Sequence, residues 1–81
     1  MKVYTVLERW SVNYDVMIQA NCSVFSTREK ADEYARKAAA WFIENEIEGG
    51  RIKAEPEYHD YEVENDDNEW LDIDIEEKWL Q

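Results

Sequence analysis

Only one stretch of this chain carries helical periodicity, and runs that alternate at period two flank it on both sides. That arrangement sets the fold class before any other property is considered. Ser26-Thr27-Arg28-Glu29 matches a capping box, in which the first hydroxyl accepts from the amide three residues on and the glutamate reaches back. Behind it Ala31, Tyr34, Ala35, Ala38, Trp41 and Phe42 recur at helical spacing and predict the core stripe of an amphipathic helix. Gly49-Gly50 supplies a stop, because glycine takes a left-handed conformation without strain. Glu44, Glu46 and Glu48 crowd the carboxyl end of this helix, where the dipole favours cations. Either local stability is reduced there or a partner supplies positive charge.

The flanking runs read as strands. In residues 2–10, Val3, Thr5 and Leu7 alternate with Tyr4, Val6, Glu8 and Trp10, all but Glu8 suited to a pleated surface. A turn is expected at 11–15, around Asn13, and a second strand at 15–25 with Val16, Ile18, Ala20, Cys22 and Val24 on one face. Residues 51–64 predict a third strand with a defect. Ile52, Ala54 and Tyr58 share one parity and Tyr61 and Val63 the other, so the face switches near His59-Asp60, and Pro56 favours an edge. Asn65-Asp66-Asp67-Asn68 is a polar turn. In the last run, 69–80, Leu71, Ile73 and Ile75 oppose Asp72, Asp74 and Glu76, the pattern of a half-buried strand. The expectation is a single α+β domain over residues 1–81, ordered ββαββ, with a four-stranded antiparallel sheet and one helix across one face. One helix covers one face, so an apolar set on the first strand (Tyr4, Val6 and Trp10) is expected to be left for a partner, including a second copy of the chain.

A single cysteine, Cys22, rules out an intramolecular disulfide, so stability must come from apolar packing or from oligomerisation. Hydrophobic residues are 44% of the chain, too many for a disordered acidic tail. The first residues lack the apolar run of a signal peptide, no segment reaches the ~20 apolar residues of a membrane span, and a cytoplasmic location is expected. Net charge is -11, and it is unevenly placed. Residues 1–43 carry six basic and five acidic residues, whereas residues 44–81 carry three basic and fifteen acidic. Such a field repels nucleic acid and anionic membrane and attracts basic surfaces.

Catalytic constellations are thin. His59, the only histidine, is followed by Asp60, but neighbouring strand residues point to opposite faces, so Asp60 is poorly placed to orient it as a general base. Cys22 sits among apolar strand residues with no basic neighbour and is expected to be a buried structural thiol. The acidic segment Glu64 to Glu69 lacks the glycine and the distal glutamate of a calcium loop, and no glycine-rich phosphate loop is present. No enzyme activity, metal or cofactor is expected.

Val24-Phe25-Ser26-Thr27-Arg28-Glu29-Lys30-Ala31, followed by Glu33-Tyr34 and preceded by the opening strand Lys2-Val3-Tyr4-Thr5-Val6, resembles many small phage and bacterial proteins of unassigned activity. The resemblance covers about the first 40 residues and implies a small accessory protein, one that counters a host defence system.

The remaining signal is the carboxylate row. Asp72, Asp74 and Glu76 repeat about every 6.6–6.8 Å along one strand face, comparable with phosphates along a nucleic-acid strand. The expected function is a non-enzymatic module that occupies the basic groove of a nucleic-acid-handling or host-defence protein. Its expected partner-binding residues are Asp66, Asp67, Glu69, Asp72, Asp74 and Glu76, with Trp70 as an aromatic anchor. The alternative is a homodimer through the uncovered sheet face, with the acidity serving solubility.

Overall fold

The computed structural model describes residues 1–12 and 18–80. Its elements are β1 (Lys2–Ser11), β2 (Gln19–Phe25), α1 (Arg28–Asn45), β3 (Arg51–Ile52), β4 (Tyr61–Glu64) and β5 (Trp70–Trp79). The expected turn around Asn13, and Val16 on the second strand, lie outside the described residues.

The α+β class holds: the described residues form one helix and an antiparallel sheet, but the sheet has five strands in the order β2-β1-β5-β4-β3. The expected third strand is two strands. Lys53 to Asp60 leave the sheet as a loop, and β3 and β4 fold back on each other with Arg51 opposite Glu64 and Ile52 opposite Val63. The parity switch read in the sequence is therefore a hairpin, with Pro56 in its loop, rather than a bulge in one strand. The helix leaves β2 at one edge and delivers the chain to β3 at the other, so it crosses the full width of one face.

Register assigns every side chain to a face. Val6 lies opposite Ile75, Glu8 opposite Ile73 and Trp10 opposite Leu71, while Tyr61 and Val63 pair with Ile73 and Leu71. These residues share the helix-covered face, since directly opposed residues point the same way. Val6, Val63, Leu71 and Ile73 are fully buried there. From the helix, Ala31, Ala35 and Ala39 meet them at spacings of four residues, with Phe42 next along the stripe. Three alanines in line let the backbone of α1 lie close to the sheet. Tyr61 adds a polar tie, its hydroxyl donating to Asp32 Oδ1 at 2.6 Å, and burial pushes this phenol up to about 12.

Several local expectations shift. The N-cap is Thr27, whose hydroxyl accepts from the Lys30 amide at 3.2 Å, one residue later than the expected Ser26. Trp41 is not in the core; it is 57% exposed, and the buried residue one turn before Phe42 is Ala39. Gly49 takes φ 65, the left-handed conformation expected of the stop, four residues beyond the last helical residue. Tyr4, Val6 and Trp10 are not the uncovered set: they face α1, with Val6 fully buried and the other two packed partly against the core. The uncovered face instead carries Thr5, Leu7 and Arg9 opposite Val24, Cys22 and Ala20. Cys22 is consequently exposed rather than buried. The apolar parity on β2 faces away from the helix.

Candidate partner-binding site

The predicted carboxylate row is not a single open face. Asp72 and Asp74 project from β5 onto the uncovered side, where His59 from the 53–60 loop lies over both. Its Nδ1 is 2.8 Å from Asp74 Oδ2 and its Nε2 is 3.4 Å from Asp72 Oδ2. The hydrogen bond to Asp74 raises the histidine above its usual range, and burial raises Asp72. Glu62, opposite Asp72, holds the loop from below. Its Oε2 accepts from the amides of Tyr58 (2.8 Å) and His59 (3.0 Å), and Lys53 Nζ stands 3.4 Å from its Oε1. These donors, the Tyr58 amide foremost, keep Glu62 below the ordinary carboxylate range. Asp60 does not orient His59; its Oδ2 accepts from the Ile75 amide at 2.7 Å, closing the edge of β5 where β4 has not yet begun. Glu76, the outermost member of the row, is exposed and pairs with Lys78 at 3.0 Å. Trp70 is half-buried on this same uncovered side, opposite Ser11 and Glu64.

The other predicted acids lie at the far end of the sheet. There the tail of α1 and the 65–69 turn form a cleft of about 740 Å³ lined by Glu44, Asn45, Glu46, Ile47, Glu48, Asp67 and Glu69. Asn65 builds it. This buried side chain donates to the Glu48 carbonyl at 3.0 Å and to Glu69 Oε1 at 2.9 Å, and accepts from the amides of Asp67 and Glu69 at 3.1 and 3.0 Å. It thereby pins the turn to the helix tail, with Asn68 at φ 62 completing the reversal. Among the described residues, five carboxylates line the cleft and no lysine or arginine does. They face the carboxyl end of α1, where the backbone already presents partial negative charge. Asp66 stands just outside, largely exposed, with both terminal nitrogens of Arg51 3.4 Å from its Oδ1.

Glu46 also borders a second concavity of about 570 Å³ between α1 and the β1–β2 end of the sheet. Its walls are mainly apolar and aromatic, with Trp10 from β1, Tyr34, Trp41 and Phe42 from α1, and Leu71 from β5. Within it lies Glu8, only 8% exposed. Tyr34 Oη donates to Glu8 Oε2 at 2.8 Å and Asn21 Nδ2 donates to the same oxygen at 3.0 Å. The sequence reading missed this pocket. One signal was available, since Glu8 occupies the parity of Tyr4, Val6 and Trp10, a carboxylate in an otherwise apolar row.

Fold and site together define a class: an acidic α+β protein with one helix over a five-stranded antiparallel sheet. Its acidic cleft and its aromatic pocket meet at Glu46. No family model, no curated protein and no solved structure matches the chain. No helix among the described residues is long and apolar enough to cross a membrane.

Proposed function

We propose that the protein is a non-enzymatic binding module that seats the basic surface of a nucleic-acid-handling or host-defence protein, as an inhibitor or adaptor. The observation that carries this reading is the cleft at the end of α1, where carboxylates from the helix tail and from the 65–69 turn are lined up without a lysine or arginine among them. Concentrating like charge costs stability, and the structure fixes it in place through buried Asn65. A cationic partner offsets that cost. Of the acids expected to act, Asp67 and Glu69 lie in this cleft and Asp66 at its margin, whereas Asp72 and Asp74 hold His59.

The test compares tagged wild type with a cleft variant (Glu44→Gln, Glu48→Gln, Asp67→Asn) and a row variant (Asp72→Asn, Asp74→Asn, Glu76→Gln). Each is exposed to bacterial lysate at low and high salt, and retained proteins are identified by mass. Nucleic-acid-binding proteins should be retained by wild type and by the row variant and lost with the cleft variant. High salt should release them, because screening shortens the reach of charge from about 10 Å at 0.1 M to about 3 Å at 1 M. Retention indifferent to both salt and the cleft substitutions would remove the reading.

A second reading rests on β2. It is an edge strand, and Ile18 and Val24 beside and within it are each 62% exposed, with Cys22 between them. Unpaired edges with apolar side chains recruit further strands. A homodimer formed there would be disrupted by Val24→Lys. A wild type that sediments as a monomer at high concentration would exclude it.

A further inference from the structure

We infer that the aromatic pocket between α1 and the β1–β2 end is a receptor for a single arginine side chain from the basic polypeptide that the neighbouring cleft attracts. The inference rests on the proposed function and adds to it the residue type that anchors the partner.

Glu8 defines the ligand. It is more than nine-tenths buried, it lines the pocket, and its hydrogen bonds from Tyr34 and Asn21 both fall on Oε2. Among the described residues no cation comes within ion-pair distance of it and no donor reaches Oε1. A buried carboxylate satisfied only by a phenol and an amide is a costly arrangement unless a positive group completes it. Lys37 shares the pocket wall, but its ammonium is 2.8 Å from Glu33 Oε1 on the solvent side of the helix. Glu46, shared with the cleft, adds a second carboxylate to the pocket wall.

The walls choose among cations. Trp10 and Trp41 offer indole surface, and Tyr34 a phenol ring held by Glu8 and packed on Phe25 at a centroid distance of 5.1 Å. Guanidinium is planar, weakly hydrated, and rich in donors at its edge. It can lie against indole while its N–H groups reach a carboxylate. An ammonium holds its water more strongly and presents no flat face. The exposure of Trp41, 57%, then has a purpose: it stands at the mouth as a surface the incoming side chain covers.

The occupant is a polypeptide rather than a free small molecule because Glu46 lines both the pocket and the acidic cleft, which sets the two side by side. A chain with one arginine in the pocket carries its neighbouring basic residues across Glu44, Glu48 and Asp67.

The experiment titrates the full chain with three probes. They are a short peptide with one central arginine flanked by lysines, the same peptide with citrulline at that place, and methylguanidinium. The indole N–H resonances of all four tryptophans are followed by NMR. With the arginine peptide, the signals of Trp10 and Trp41 should shift while those of Trp70 and Trp79 stay. The citrulline peptide should bind at least ten-fold more weakly, and methylguanidinium should bind far more weakly than the peptide. Glu8→Gln, of the same shape, should abolish the preference for arginine over citrulline. Trp41→Ala, at an exposed position that does not endanger folding, should reduce it independently. Equal binding of the arginine and citrulline peptides, or a preference that survives both substitutions, overturns the arginine receptor. In that event, salt-sensitive peptide binding lost with the cleft variant leaves the proposed function standing. Methylguanidinium binding as tightly as the peptide overturns the polypeptide occupant, and no binding by any probe overturns both readings.

Discussion

The Nδ1 of His59 stands 2.8 Å from Oδ2 of Asp74, across a gap of fifteen residues in sequence. This contact converts what reads as a bare acidic strand into a strand with a loop clasped over it. The same ring reaches Asp72 on its other side.

The clasp predicts a pH dependence. The Asp74 bond raises His59, so its contribution to stability is complete below the unfolded value of about 6.5 and is lost as pH rises through the folded value. Glu62 is lowered, so its contribution is present above the unfolded carboxylate range and lost as pH falls through its folded value. Thermal stability should therefore be highest in mildly acidic solution and decline above about pH 6.5. His59→Gln should flatten that upper limb by about 1 kcal/mol or less, since a quarter of the ring is exposed to screening solvent. Parallel melting profiles for the two proteins between pH 5 and 8.5 would refute the clasp.

Asn65→Ala should be among the more damaging single substitutions outside the apolar core. It removes four hydrogen bonds at a buried position and leaves the amides of Asp67 and Glu69 without their acceptor. A loss of about 2–3 kcal/mol follows, read by urea unfolding. A loss below about 0.5 kcal/mol, the range of an ordinary surface change, would show that the turn is held by something else.

Ala35→Leu tests the close approach of α1 to the sheet. Ala35 is fully buried, in the middle of the alanine row. The extra methylenes would enter the closed core that also holds Val6 and Ile73, and overpacking of this kind costs about 1–3 kcal/mol. A stabilised variant would mean that the layers are looser than described.

Cys22 should react with a thiol reagent in the native protein at nearly the rate seen in denaturant, because it faces solvent on the uncovered side of β2. Strong native protection, relieved on dilution, would point instead to the edge-strand dimer.

Much of the architecture is legible in the alternation of single residues. Leu71, Ile73 and Ile75 on one parity of β5 mark the core, whereas on β1 the parity expected to lie uncovered, that of Val6, is the buried one. The reading fails where two faces carry apolar residues of similar size. On β2 the apolar set Ala20, Cys22 and Val24 faces outward, while Asn21 and Ser23 face the helix side, because Asn21 is spent on Glu8 rather than on packing. The same carboxylate explains why the pocket was missed: a polar pair across two strands looks, residue by residue, like two unremarkable surface positions. The split of 51–64 was half legible, since the parity change is visible but its resolution into a loop depends on Glu62 and Asp60 finding backbone amides nearby. Asp72, Asp74 and Glu76 share one face of β5, as their alternation predicts, and the histidine that covers the first two comes from outside the strand.

The centre of the sheet joins β1 to β5, with Lys2 opposite Trp79 and Ser11 opposite Trp70. Nearly the whole sequence separates these partners, so loop closure must be met before the principal pairing rewards it. During synthesis, Val6 and the alanine row of α1 therefore wait for β5 to leave the ribosome before they find Ile73 and Ile75. The core of this topology closes only once β5 is present. A nascent chain halted before β5 should remain open to proteases along its entire length.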